Sequence, residues 1–466
     1  MEVIKKMTLH LIATLFLIGL VVVGCGPKNQ GDIAASEPTI EQEMESFLQA
    51  HVATGEFMGT VLVARGDEIL HSGGYGMANL EHDVPNTLQT VFRLASLTKP
   101  FTAAAILQLQ EQGLLDVNNT VDYYLPDYPH GSEITVNQLL NHTSGTPDYE
   151  FLRSSTALRN AVSLDDLIDI FADLPLEFPP GSQWNYSNSG YAVLTAIIET
   201  VSGQNYADYL AEQIFQPLGM DSTGYEDSDA ILPHRAAGYT LEGTIYHNSD
   251  FFDISNAAGA GGVVSSVLDM YKWDRALYSD NVLSEASREA FFTPTAIIAE
   301  GMGYAYGGVV MEEPGRKYIL FNGEINGFFA TSIRYSDEEL YVIVLSNLEN
   351  PSAQAVAQGL MAIAFGDPYE LPGQRTAITV DPALYERYVG SYRANPNLTL
   401  SVTEEDGHLF VQPTDQPRIE IFPESETNYF VKEADVQLHF QVGLDGIVTG
   451  VIVLEGDQEI QAQKIQ

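Results

Sequence analysis

Phe92-Arg-Leu-Ala-Ser96-Leu-Thr-Lys99-Pro-Phe-Thr-Ala-Ala-Ala105 is the stretch on which the fold of this chain is decided. After Ser96 the run is helix-forming, with Leu97, Phe101, Ala104 and Ala105 at helical spacing. Pro100 is tolerated because N–H groups in a first turn have no internal partner. The spacing predicts Ser96 at a helix start and Lys99 one turn on, on the same face. That pairing has a chemical use. A helix N-terminus favours the negative charge that develops during attack, and an amine beside a hydroxyl assists proton removal. A serine in this position can also be a plain N-cap. Yet Lys99 is one of eight lysines in 466 residues and lies in a largely apolar helix.

A second element lies at Phe178-Pro-Pro-Gly181-Ser-Gln-Trp-Asn-Tyr186-Ser-Asn188, a Pro/Gly loop leading into a helix. Residues two apart on an extended segment face the same way, so Tyr186 and Asn188 can point into one cleft. A phenol near a lysine can serve as base and then acid. An amide offers both a donor and an acceptor to an amide-like substrate.

Outward from these motifs, Glu41 to Ala53 reads as an amphipathic helix and Gly59-Thr-Val-Leu-Val-Ala-Arg65 as a strand of a hairpin turning at Gly66-Asp67. Helical patterns dominate from 95 to about 290. Strands return between 304 and 347 as YAYGGVVM, KYILF, FFATSIRY and LYVIVLSN. A sheet built from both ends of the domain, with helices between, is the economical α+β reading. A helix over 353–365 precedes a Pro/Gly linker, and short alternating segments from Leu398 to Val453 predict a small antiparallel sheet or barrel.

Composition narrows the function. Asp and Glu number 63 against 21 Lys and Arg, a formal charge of −42 that repels phosphate and disfavours nucleic-acid partners. Ten scattered histidines and one cysteine provide no metal-ligand spacing, so no metal or cofactor is expected. No Gly-x-Ser-x-Gly elbow or Gly-rich phosphate loop occurs. Residues 1–25 read as an export signal: Lys5 and Lys6, an apolar stretch, then Val22-Val23-Gly24-Cys25, which resembles a bacterial lipobox. The resemblance implies cleavage before Cys25 and lipidation of its sulfur, tethering the chain to a membrane facing the periplasm or exterior. An uncleaved anchor helix is the alternative.

Taken together the motifs resemble the serine β-lactamase and penicillin-binding protein superfamily, in particular its class C β-lactamase-like branch. The landmarks run from about 40 to 365. They include Gly76-Met-Ala-Asn-Leu80, Asn141-His-Thr-Ser-Gly145, Gln216-Pro-Leu-Gly-Met220 and Ala260-Gly-Gly-Val-Val-Ser-Ser266. The resemblance implies a β-lactamase-like antiparallel sheet flanked by a helical subdomain. It also implies that Ser96 is the acylated nucleophile, Lys99 its partner, Tyr186 the general base and Asn188 a contact to substrate and lysine. His142 is expected to be structural. Tyr388-Val-Gly-Ser-Tyr392-Arg resembles the opening of the lipocalin-like β-domain appended to many members, expected here to be a lid or accessory domain. The expected divisions are signal (1–25), tether (26–38), hydrolase domain (39–366), linker (367–380) and β-domain (381–466).

The match breaks at one place. The family closes its cleft with Lys-Thr-Gly or His-x-Gly, and the corresponding residues here are Phe321-Asn322-Gly323, followed by Glu324. The missing cation would bind a substrate carboxylate, a contact worth about 1.5–3 kcal/mol. Phe321 therefore favours a neutral ester or amide unless Arg334 substitutes. Gly323 is expected to leave room for substrate backbone, and backbone N–H groups of Ser96 and near Glu324 to form the oxyanion hole. The implied activity is an exported serine hydrolase acting through an acyl-enzyme on an ester, a β-lactam or a D-amino-acid peptide. A non-catalytic envelope lipoprotein that binds cell-wall peptide in the same cleft is the alternative.

Overall fold

Val61 and Val63 face one side of a sheet while Leu62 and Ala64 face the other, and all four are fully buried. That period-two split requires cover on both faces. The computed structural model describes residues 38–465, apart from 243–244, 314, 373–376, 382–383, 396–397, 406, 415, 432–435, 444–445 and 456–457. The expected signal, the tether up to residue 37 and Cys25 lie outside the described residues. No helix among the described residues is long and apolar enough to cross a membrane.

The central sheet has eight strands. They are β1 (Gly59–Arg65), β2 (Glu68–Tyr75), β3 (Ala296–Ala299), β4 (Met302–Ala305), β5 (Gly308–Glu313), β6 (Arg316–Ile325), β7 (Phe328–Tyr335) and β8 (Leu340–Ser346). Their order is β3-β4-β5-β6-β7-β8-β1-β2, so the N-terminal hairpin closes onto the last strand, with Gly59 opposite Ser346. The expected joining of both ends in one sheet is observed. Two details differ. The run YAYGGVVM is broken by Gly307 in a left-handed conformation, which makes two strands of it. Strand β3 was not foreseen.

Helices α1 (Ile40–Ala53) and α4 (Ser352–Phe365) cover one face, burying Met44, Phe47, Val356 and Leu360 against Val61, Val63, Val342 and Val344. Thr39 and Gln42 form a capping box that starts α1. The opposite face packs on the helical subdomain through the helix Val267–Ala276, and the apolar residues of that helix, of α2 (Lys99–Glu111) and of α3 (Asn188–Ser202) join Leu62, Ile343 and Leu345 in one core. Helix α3 ends at Gly203, left-handed at φ 71°.

From Gly390–Asn395 to Gln458–Lys464, eight antiparallel strands form a closed barrel. The first strand pairs with the last, Tyr392 opposite Lys464, and the closing strand carries too few apolar residues to have been recognised. Side chains fill the interior: Tyr392, Tyr429, Leu400, Val402 and Phe440 are buried, and the Tyr388 ring stacks on Phe440 at 4.4 Å. Eight strands leave a bore just wide enough for such filling.

The α1–α4 contact has no slack. A Cβ on Gly359 would lie 2.1 Å from Phe47 Cζ. Gly359→Ala is expected to cost about 1–3 kcal/mol of stability through overpacking, read as a lower denaturant midpoint at unchanged slope.

Candidate active site

Ser96 lies in a 3-10 turn, Ala95–Thr98, that runs directly into α2. Ala95 before it adopts a φ of 49°, an unusual value for a residue with a Cβ, and the chain reverses sharply there. Lys99 is the first residue of α2, so its side chain lies over the turn that carries Ser96. The Ser96–Lys99 placement expected from spacing is observed. Lys99 Nζ is 3.1 Å from Ser96 Oγ, and Ser96 Oγ is 2.8 Å from Tyr186 Oη.

Lys99 is 1% exposed, and three acceptors surround its nitrogen: Ser96 Oγ, Asn188 Oδ1 at 2.9 Å and the Ala260 carbonyl at 3.0 Å. The number matches the three donors of an ammonium. The Tyr186 ring centroid lies 4.7 Å from the nitrogen and that of Tyr191 lies 5.3 Å away. Burial nevertheless disfavours the charge and brings the Lys99 pKa down to about 7, against the opposing pull of Asp148 and Glu150. Tyr186 moves the other way. Burial raises its pKa above the ordinary phenol value despite the hydrogen bond to Ser96, and the charges of Asp148 and Glu150 raise it further. Of the two, Lys99 is the group that titrates near neutrality.

Each acceptor is itself held. Asn188 opens α3; its backbone N–H donates to Asp148 Oδ2 at 2.9 Å, and its Nδ2 donates to Asp148 Oδ2 at 3.2 Å and Glu150 Oε2 at 2.8 Å. The amide is thus engaged at both ends, as the expected lysine contact and as a brace rather than a free substrate donor. Ala260 belongs to a short turn, Ala258–Gly261, docked on α2 and α3. The Thr102 hydroxyl donates to the Gly259 carbonyl at 2.6 Å, and the Gly259 N–H donates to Thr195 Oγ1 at 3.0 Å.

The expected structural role of His142 has a geometric form. Its ring packs 4.4 Å from that of Tyr186, and its Nδ1 accepts the Ser187 N–H at 3.2 Å. The proton therefore sits on Nε2, which donates to Tyr304 Oη at 2.9 Å. Burial, with Lys99 adding to it, holds the His142 pKa well below its ordinary value, so the ring stays neutral.

The strand that carries Phe321-Asn322-Gly323 differs from expectation in two respects, at Gly323 and in the availability of Arg334. A Cβ on Gly323 would lie 2.2 Å from the Leu94 carbonyl and 2.8 Å from the Ser96 nitrogen. The room that Gly323 provides is taken up by the nucleophile's own turn, not by substrate. Phe321 packs on Gly308, whose Cβ would fall 2.3 Å from its ring, and lines the cleft beside Lys99, Tyr186 and Trp184. Arg334 is no substitute cation: it is 3% exposed and paired with the buried Asp274 beneath Phe321. Asp148, Glu150 and Trp184 were not foreseen as site residues. Asp148 and Glu150 follow directly on the Asn141–Gly145 landmark, which was the available signal.

These features are those of a β-lactamase-type serine hydrolase, and the comparisons agree. Residues 44–364 match the Beta-lactamase family, and the chain belongs to it; residues 374–466 match a domain of unknown function (DUF3471). Penicillin-binding protein 4* of Bacillus subtilis (strain 168) is 35% identical over 427 residues, covering 87% of this chain and 94% of that protein. A penicillin binding protein from Bacillus halodurans superposes with a TM-score of 0.63 at 29% identity, over 68% of this chain and 98% of its own. A D-amino acid amidase from Ochrobactrum anthropi SV3, complexed with L-phenylalanine amide, shares the fold at TM-score 0.62 and 23% identity, over 69% of this chain and 97% of its own.

The approach of β6 to the nucleophile turn gives a direct test. Gly323→Ala pushes the strand off the Ser96 backbone, and a displacement of that size costs on the order of 100-fold in kcat. The expected result is that loss with an unaltered far-ultraviolet circular dichroism spectrum.

Proposed function

We propose that Ser96 attacks the carbonyl carbon of an ester or amide, with Lys99 as the base and Tyr186 as the proton carrier. The observation that carries this reading is Lys99 itself: a dry amine against the serine oxygen, its pKa brought down to about 7 by burial. As a neutral amine it keeps two N–H bonds for Asn188 and Ala260 and turns its lone pair to Ser96. The Ser96 proton passes to Nζ as the Oγ–carbon bond forms, and the carbonyl pair moves onto oxygen. That oxyanion is held by backbone N–H groups of Ser96 and Glu324. When the intermediate collapses, the bond to the leaving group breaks and the proton reaches that group through Tyr186 Oη. Water then repeats the sequence on the acyl-enzyme and frees Ser96.

The substrate is an ester or a peptide-like amide of the cell envelope, in preference to a carboxylate-bearing β-lactam. The kinship to penicillin-binding proteins supports the location and the acyl-enzyme. The likeness to an amidase supports an amide, and Phe321 supports the preference. Anchoring through a lipid on Cys25 belongs to the same proposal.

Intact mass over time, for the fragment from Gly26 onward with a penicillin and with an activated ester, tests the nucleophile. An adduct on Ser96, or turnover too fast to leave one, is expected with the ester; neither outcome would favour a binding protein. Ser96→Ala should lower turnover on the order of 10⁴–10⁶-fold in a folded protein. The base must be neutral to act, so kcat/KM should climb with pH up to about 7 and level off above it. A profile flat from pH 5 to 8 would remove Lys99 from that role.

A further inference from the structure

Phe321, where the motif resemblance expects a cation, lines the cleft, and Arg334 behind it is committed to Asp274. In place of positive charge, the cleft has negative charge. Glu150, from the turn Tyr149–Leu152, and Glu324, from β6, line the same lobe as Ser96. No lysine, arginine or histidine is among the described residues that line this lobe. Arg153, three positions after Glu150, does not line the lobe itself; it is bonded to Asn256 of the wall and to the Ala157 carbonyl. The carboxylates feel each other: after burial, Asp148 and Glu324 both push the Glu150 pKa up, opposed by Lys99. Lys99 counters them only while it is protonated. Tyr149, Leu158, Phe252 and Ile325 form an apolar stretch of the wall, and Asn188, Asn256 and Asn326 supply its uncharged polar groups.

We propose that this lobe selects acyl donors bearing a free ammonium next to the reacting carbonyl, namely α-amino-acid amides and esters, with the ammonium held by Glu150 and Glu324 and the side chain on the apolar wall. The inference rests on Ser96 acting through an acyl-enzyme. That nucleophile defines the site independently of the carboxylates, which set its specificity. A carboxylate at the same place meets like charge with no partner.

Three p-nitroanilides of D-alanine, offered to the full-length chain, carry different charge at the amine end: free (cationic), N-acetylated (neutral) and N-succinylated (anionic), the last two being matched as amides. The expected order of kcat/KM is cationic, then neutral, then anionic, with at least about a tenfold step from cationic to neutral, the size of one charge-assisted hydrogen bond. The cationic-to-neutral ratio, taken within each variant, cancels any general loss of activity. Glu324→Gln should lower that ratio mainly through KM, and Glu324→Lys should bring the anionic substrate above the cationic one. Hydrolysis of the neutral or anionic substrate at equal or better efficiency by the unaltered chain overturns the ammonium site while leaving the hydrolase reading intact. An unchanged ratio in both Glu324 variants overturns the assignment of Glu324. Absence of turnover and of Ser96 adduct with all three and with the activated ester removes the hydrolase reading, and this inference with it.

Discussion

Everything in the cleft follows from hiding one amine from water. A buried lysine is costly unless its donors are matched, and Lys99 is matched by groups from three separate parts of the chain: Ser96, Asn188 and the Ala260 carbonyl. Leaving any one of those donors without a partner would cost about 1–3 kcal/mol. The matching therefore stabilises the assembly of the two helices and the Ala258–Gly261 turn, and the burial that it makes tolerable brings the amine into the range where it can exchange a proton. Stability and chemistry are served by one set of hydrogen bonds.

Close approach is the second constraint. The nucleophile turn meets the sheet at Gly323, and the N-terminal end of α2 meets it at Gly307, where a Cβ would lie 2.7 Å from the Pro100 nitrogen. Gly259 admits the Thr195 hydroxyl, which a Cβ would meet at 2.4 Å. Backbone thus packs against backbone around the serine, which holds the reacting groups more tightly than long side chains would.

How much of this was legible depends on range. The Ser96–Lys99 pair is a local helical relation, so spacing alone placed it. Tyr186 and Asn188 were legible as a pair, but their distance from Ser96 came only through the family likeness. The part played by Asp148 and Glu150 was hidden, because bracing an amide from a neighbouring loop leaves no periodic signal. The proton balance between Lys99 and Tyr186 was hidden too, since it depends on burial, which a sequence does not state. Arg334 read as a free strand cation until the buried Asp274 was placed beside it. In the barrel, Leu398–Val402 and its successors announced themselves by alternation, whereas Gln458–Lys464 did so poorly, three of its seven residues being glutamine.

The pairing of β1 with β8 bears on how the chain comes to be folded at all. Gly59 finds its partner at Ser346, so one of the most apolar strands of the sheet is made early and must wait for nearly the whole domain to follow. Contacts of such long range close late and slowly. During that interval the run Thr60 to Ala64 is a bare hydrophobic edge, of the kind that recruits other chains.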